Sequence, residues 1–322
     1  MPTVLVATPL KSSAASRSYT FRDGICVREI APILWDISIA RTFISEHERN
    51  ELAQTRYWLC ASQDYEYFYG DIGSELYERA EHAADAVQIV CPSGANNVFL
   101  KLVQTDLGFD NVESRRPREL SHTRLGRRMS PEQQGLGDYF EPIYEGVHRA
   151  FAERIVRLQN PILLLEHAQQ TGHTFLSMLM SVMGLDMLMM AGKEQSFVER
   201  VGGFLGPNTR VFPTDMTGRQ PRVTVQEVIA SLYRLRNRIA HGQEVPAVPF
   251  RQRYDVLDDR GQPINTTEYY YAELMLECGL FILAAVLRKV LVDGLVDEVK
   301  DEAKWRLKLR IFEHRYRNST AR

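Results

Sequence analysis

The sequence predicts a mainly α protein: a helical bundle preceded by a smaller mixed α/β N-terminal module. Three observations predict it. From Asp138 onward apolar residues recur at helical spacing, and Gly-Pro-Asn at 206–208 and Asp-Asp-Arg-Gly-Gln-Pro at 258–263 are the two obvious loops. The first 60 residues instead mix strand and helix signals. The chain has 322 residues, 44% hydrophobic and 25% charged, which is long enough to bury a core and has the composition of a folded protein. The expected organisation is a module over 1–138 that ends in a basic loop at 111–138, a bundle over 139–292, and a basic helix over 293–322.

The module's elements follow from turn and cap signals. In SYTFRDGICVREI, Asp23-Gly24 separates two β-rich runs and predicts a hairpin. Ser45 to Glu48 reads SEHE, a capping box that opens a helix toward Tyr57. A helix over 74–90 is stopped by Cys91-Pro92, and NNVFLKLVQ then reads as a strand. Arg115 to Arg128 holds six arginines against Glu119, which fits a solvated loop or a strap on phosphates. Its candidate RNA contacts are Arg115, Arg116, Arg127 and Arg128. Ser130 to Gln133, with Pro131 at the first position, starts a short turn.

In the bundle, helices are expected near 139–158, 160–170, 172–191, 194–204, 223–241, 267–292 and 296–317. The methionine-rich FLSMLMSVMGLDMLMMAG could be mistaken for a membrane span, but Asp186 inside it makes a core helix the better reading. The N-terminus lacks a basic signal-peptide region, so a cytoplasmic protein is expected. Four cysteines, at 26, 60, 91 and 278, show no metal or CxxC spacing and read as reduced thiols. A formal net charge of −2 means that affinity for nucleic acid must come from local patches. Glu166, His167 and His173 do not match the HExxH spacing, and no phosphate loop, dinucleotide fingerprint or nucleophile elbow occurs. No metal and no cofactor is therefore expected.

One stretch stands apart. LYRLRNRIAHGQE crowds Arg234, Arg236, Arg238 and His241 into eight residues, with no acid between Glu227 and Glu244. Val228, Leu232, Leu235 and Ile239 form the apolar stripe of this helix, and at 100° per residue Arg234, Asn237, Arg238 and His241 project from roughly the other side. Arg236 lies on the flank. Gly242 stands where a C-cap glycine belongs, which puts His241 at the end where the helix dipole favours an imidazolium. Spacing alone favours a capping histidine beside surface arginines. The sharper reading is RNA cleavage by 2′-hydroxyl attack, with histidine handling the proton and arginine stabilising phosphate charge.

The same stretch resembles the Arg-x(4–6)-His signature of HEPN domains, and more narrowly of the Apea-like HEPN family. LMSVMGLDMLM, FVERVGGFLG and YYYAELMLECGLFILAAVLRKVL resemble that family's core, arginine-bearing and closing helices in the expected order. The resemblance covers roughly Thr171 to Leu291. It implies a HEPN-type helical bundle that forms a homodimer, with a metal-independent endoribonuclease site at the interface. The implied roles, in antiphage defence or as a growth-arresting toxin, bring RNA, a regulatory protein or a phage trigger as partners, and no membrane. Arg236 and His241 take the signature positions with Asn237 beside them. Arg234 offers an Arg-x6-His alternative, and Arg238 supports. Asp186 stands where the family usually has glutamate, and it is expected to pair with Arg200 and hold the motif helix. A non-catalytic HEPN module for dimerisation, RNA binding or ligand sensing is the alternative. Residues 304–322 add seven Lys or Arg against Glu313, with Trp305, Phe312 and Tyr316 interleaved. Lys308, Arg310 and Arg315 are expected to contact RNA, and truncation after Val299 to weaken RNA binding more than folding. The plainer reading packs Leu307, Leu309 and Ile311 in the core.

Overall fold

A computed structural model describes residues 3–10, 17–30, 55–64, 72–92, 99–105, 108–115, 136, 139–171, 173–212, 223–243, 251–257 and 263–320. The protein is mainly α, with an N-terminal α/β module. Described residues up to His148 form one compact unit, and those from Arg149 onward form another. The division falls ten residues later than the boundary expected at 138/139, inside the helix Phe140–Ala152.

The first unit is a six-stranded antiparallel sheet. Its strands are β1 (Thr3–Pro9), β2 (Tyr19–Thr20), β3 (Ile25–Glu29), β4 (Tyr57–Asp64), β5 (Phe99–Thr105) and β6 (Gly108–Arg115), in the order β2-β3-β4-β1-β5-β6. The N-terminal strand lies in the middle because its run is apolar without alternation. Leu5, Val6 and Ala7 are all buried, as are Trp58 to Ala61 on the neighbouring β4. Helix α1 (Ile72–Val90) links β4 to β5 and packs on β1 and β4. The expected hairpin forms between β2 and β3, with Asp23 (φ 55) and Gly24 (φ 68) both in the left-handed region.

Two readings of this unit need correction. Residues 111–115, assigned above to a loop, belong to β6, which pairs with β5 from Phe99↔Arg115 to Thr105↔Gly108. Backbone pairing orders a strand whose polar composition does not advertise it. Tyr57, expected at a helix end, begins β4 instead. The SEHE capping box, the rest of the basic strap (including Arg116, Arg127 and Arg128) and the turn at 130–133 lie outside the described residues.

Helix α2 (Phe140–Ala152) contributes its first nine residues to this unit. Phe140 packs on Phe21 with ring centroids 4.2 Å apart, and the His148 and His82 Nδ1 atoms lie 3.4 Å apart. They line a cavity of about 320 Å³ together with Asp23, Glu75, Glu78, Arg79 and Tyr144. Burial, reinforced by the charge of His148, lowers the His82 imidazole to about 4. The unfolded chain therefore binds a proton at His82 between pH 6.5 and 4 that the folded unit excludes. Stability from this group is complete above the unfolded value and is lost as pH falls through that window. Unfolding of the wild type in urea is expected to be easier at pH 5 than at pH 7.5 by about 1–2 kcal/mol from this group. His82→Asn should flatten that dependence.

The second unit is a helical bundle. It contains α3 (Val156–Gln170), α4 (Thr174–Met189), α5 (Glu194–Leu205), α6 (Val225–Ala240), α7 (Tyr271–Val292), α8 (Val296–Lys300) and α9 (Glu302–Thr320), with a hairpin of β7 (Arg251–Leu257) and β8 (Pro263–Tyr270) between α6 and α7. The methionine-rich α4 is central, packing on α3, α6 and α7. Among the described residues no single helix is long and apolar enough to cross a membrane; α4 and α5 pass together only as a pair bent by 80°.

Here too the structure moves some boundaries. The expected helix over 139–158 breaks at Glu153–Ile155, with Arg154 in the left-handed region (φ 54), and the helix expected at 160–170 begins earlier, at Val156, which puts Pro161 in its interior. Residues 267–270 are strand, not helix, and Pro263, expected to close a loop, begins β8; 258–262 lie outside the described residues. The final helix divides at Asp301, whose carboxylate accepts the Ala303 and Lys304 backbone N–H groups and so starts α9. Helix α9 belongs to the bundle's own unit and does not stand apart. Its buried face is Trp305, Leu309 and Phe312, while Leu307 and Ile311 are exposed.

Helix α9 lies closely against α5 because Gly202 and Gly203 carry no side chain there. A Cβ on Gly202 would strike the Tyr316 ring, and one on Gly203 would overlap the Phe312 carbonyl. A ring can turn aside, but helix backbone cannot. Gly203→Ala is thus expected to cost about 3 kcal/mol in urea unfolding, against a smaller loss for Gly202→Ala, despite alanine's better helix propensity.

Candidate functional site

The His-and-arginine stretch is the C-terminal half of α6. The helix starts at Thr224, whose backbone N–H and hydroxyl both donate to the Glu227 carboxylate (2.7 and 2.8 Å). It ends in a full Schellman motif: Gln243 N–H donates to Arg238 O (2.9 Å), Gly242 N–H to Ile239 O (3.1 Å), and Gly242 has φ +61. A Cβ on Gly242 would meet nothing within 4 Å, so backbone conformation and not space selects glycine. His241 is the C-cap residue itself, and its exposed side chain is held at a fixed helix end.

The expected apolar stripe is present: Val228, Leu232 and Leu235 are buried and Ile239 is half-buried. Tyr233 is also buried on this helix, its ring 4.9 Å from Phe197. Burial first, then the Asp186 charge, raises its phenol.

The arginines separate into two kinds. Arg236 points into the bundle. Its guanidinium donates to Asn237 Oδ1 (2.8 Å) and to Asp186 Oδ2 (3.4 Å), and stacks over Tyr233 at 5.6 Å. The Arg236 and Asp186 side chains are 25% and 17% exposed, so this pair is better shielded than a surface bridge. Arg236 Nε is buried without a hydrogen-bond partner. Arg234 and Arg238 are exposed. Arg234 donates to Glu194 at the start of α5 (2.7 Å), and Arg238 has no ion pair among the described residues.

Asp186 does not pair with Arg200. Its second oxygen accepts the Gly192 backbone N–H (3.1 Å), which fixes the chain leaving α4. Arg200 turns the other way. It donates to Glu313 of α9 (2.6 Å) and to the Met189 and Met190 carbonyls at the end of α4. The motif helix is therefore held by Asp186 to Arg236 directly, and Arg200 clamps α4, α5 and α9. Sequence reasoning missed Glu194, Glu313 and Tyr233. Glu194 lies in the first turn of α5, where a dipole-favoured acid is ordinary, so nothing in its position marks a cross-helix partner.

At 100° per residue, Arg234 and Arg238 lie within roughly 60° of His241 around the helix, whereas Arg236 lies roughly 140° away. The open face thus carries one imidazole and two guanidinium groups, all donors suited to an anion such as phosphate. The other expected RNA contacts are differently engaged. Lys308 pairs with Glu298 (2.7 Å), Arg315 stacks on Phe312 (5.7 Å), and Arg310 is exposed. Arg115 ends β6 in the first unit. His173 caps α4, accepting the Leu176 N–H (3.4 Å). Among the described residues, no three His, Cys, Asp or Glu side chains are grouped to hold a metal ion.

No family model, curated protein or solved structure matches the chain.

Proposed function

We propose that the protein is a metal-independent endoribonuclease of the HEPN type, acting as a homodimer in defence or growth arrest. The observation that supports this most is the end of α6: a solvent-facing imidazole fixed by a Schellman cap, on the same face as Arg234 and Arg238. His241 takes the proton from a 2′-hydroxyl or returns one to the leaving 5′-oxygen, while guanidinium groups stabilise the charge gained by the phosphate. Arg236, turned inward to Asp186, positions the helix and Asn237.

The dimer is part of the proposal. Leu176, Met183 and Met187 are exposed on α4, and with Met180 they fall within roughly 60° of one another on that helix. A second copy of the same face would cover this apolar stripe, and methionine adapts well to such packing.

The test is incubation of total RNA with wild-type protein and His241→Ala in the presence of a chelator. Fragments ending in a 2′,3′-cyclic phosphate from wild type alone support the reading. Equal fragments from a folded His241→Ala would sink it. RNA that stays intact but is retained by the protein favours the binding-module alternative, for which the engaged state of Arg236 is the specific structural argument.

A further inference from the structure

Cys26 on β3 and Cys60 on β4 are direct cross-strand partners in the first unit's sheet. The flanking pair Gly24/Ser62 is joined by the Ser62 N–H to Gly24 O bond (2.9 Å), so two residues on, Cys26/Cys60 falls at the same kind of hydrogen-bonded position. Such pairs hold their Cα atoms about 5.5 Å apart, within the window of about 4.4–6.8 Å that a disulfide spans. Both thiols are free, Cys26 half-buried and Cys60 fully buried.

We propose that Cys26 and Cys60 form a redox modification site, a dithiol that a small-molecule disulfide of the glutathione type converts reversibly into a cross-strand disulfide. The two sulfurs differ as attacking and resolving thiols must. A hydrogen bond from Cys60, assisted by the Arg28 charge, outweighs burial and lowers the Cys26 thiol to about 7. The Cys60 thiol is pushed well up, first by that hydrogen bond to Cys26 and then by burial. Its single proton has two acceptors in reach, the Cys26 sulfur and the Trp58 carbonyl at 3.8 Å.

The chemistry balances with one equivalent of oxidant. The Cys26 thiolate attacks one sulfur of the small disulfide, forming a mixed disulfide and expelling one thiolate. That step removes the negative sulfur that held the Cys60 proton in place. Cys60 then loses its proton, attacks Cys26 Sγ and expels the second thiolate. The protein dithiol is oxidised, and two small thiols leave with the two protons. In a hydrogen-bonded pair the Cβ atoms stand toward the wide end of the cross-strand range, about 5.5 Å, beyond the 3.5–4.5 Å common in disulfides. Closing the bond must draw the strands inward, and a strained bridge is easily reduced.

The experiment is to incubate the full reduced chain with oxidised glutathione and map its cysteines by mass spectrometry under native conditions. The expected product has lost two hydrogens, joins the Cys26 and Cys60 peptides, and leaves the buried Cys91 and Cys278 as thiols. A monothiol reductant should reverse it. Cys60→Ser should instead accumulate a glutathione adduct on Cys26. Cys26→Ser, at the more exposed position, should leave Cys60 unmodified. A stable wild-type adduct at Cys26 with no bridge, a bridge to another cysteine, or no reaction at either thiol would each overturn the proposal.

Discussion

Trp305→Ala is expected to lower the stability of the helical unit by about 3–5 kcal/mol in urea unfolding, without changing the first unit's sheet signal. The indole is fully buried, edge-on to Phe204 and Phe312, with centroids 6.3 Å from each. Its Nε1–H donates to the Leu188 carbonyl at the end of α4 (2.7 Å). The substitution therefore leaves a cavity and also a buried carbonyl without that donor. Trp305→Phe should recover part of the packing and none of the hydrogen bond, placing it between wild type and alanine. The consequence reaches further than one residue. Because α9 carries Trp305, Leu309 and Phe312 into the core and Glu313 to Arg200, truncation after Val299 should unfold the bundle. The expectation that such a truncation affects RNA binding more than folding is replaced by this one.

Periodicity made most of the bundle legible, because α4 and α6 each bury a continuous face and α6 carries its own start and stop signals. The capped end at His241-Gly242 is such a signal, and the structure has it where the sequence puts it. What the sequence hid depends on contacts distant in the chain. The β7–β8 hairpin ends where α7 begins, so its last residues join a helical pattern without a break in composition. The two glycines of α5 look like weak helix positions until α9 is laid on them. Exposed Leu307 and Ile311 were as good core candidates as Leu309, because on an isolated helix hydrophobicity does not say which of two apolar faces a neighbour covers. Partner choice is the hardest case. Asp186 and Arg200 are the right residue types for an ion pair, yet each finds another partner, Arg236 and Glu313, chosen by helix packing.

That exchange of partners sets the second large effect, which concerns the proposed site. His241→Ala is expected to reduce RNA cleavage by roughly a hundred- to ten-thousand-fold, the range for removing a general acid–base group, with unchanged unfolding because the side chain is exposed. Arg238→Ala should also leave stability intact, and lose roughly a hundred-fold or more in rate if its guanidinium faces the phosphate. Arg236→Ala should differ from both. It strips Asp186 of a partly shielded partner and removes the contact over Tyr233, at a cost of about 1–3 kcal/mol. Loss of cleavage in that variant alone is ambiguous, since a loosened α6 would misplace His241. The double variant Asp186→Leu/Arg236→Met separates the causes, because replacing both charges with apolar groups of similar size removes the unpaired carboxylate. Recovery of stability and cleavage together would make Arg236 a positioning residue. Recovery of stability without cleavage would mean that its guanidinium reaches the RNA, and that the Asp186 contact is broken when substrate binds.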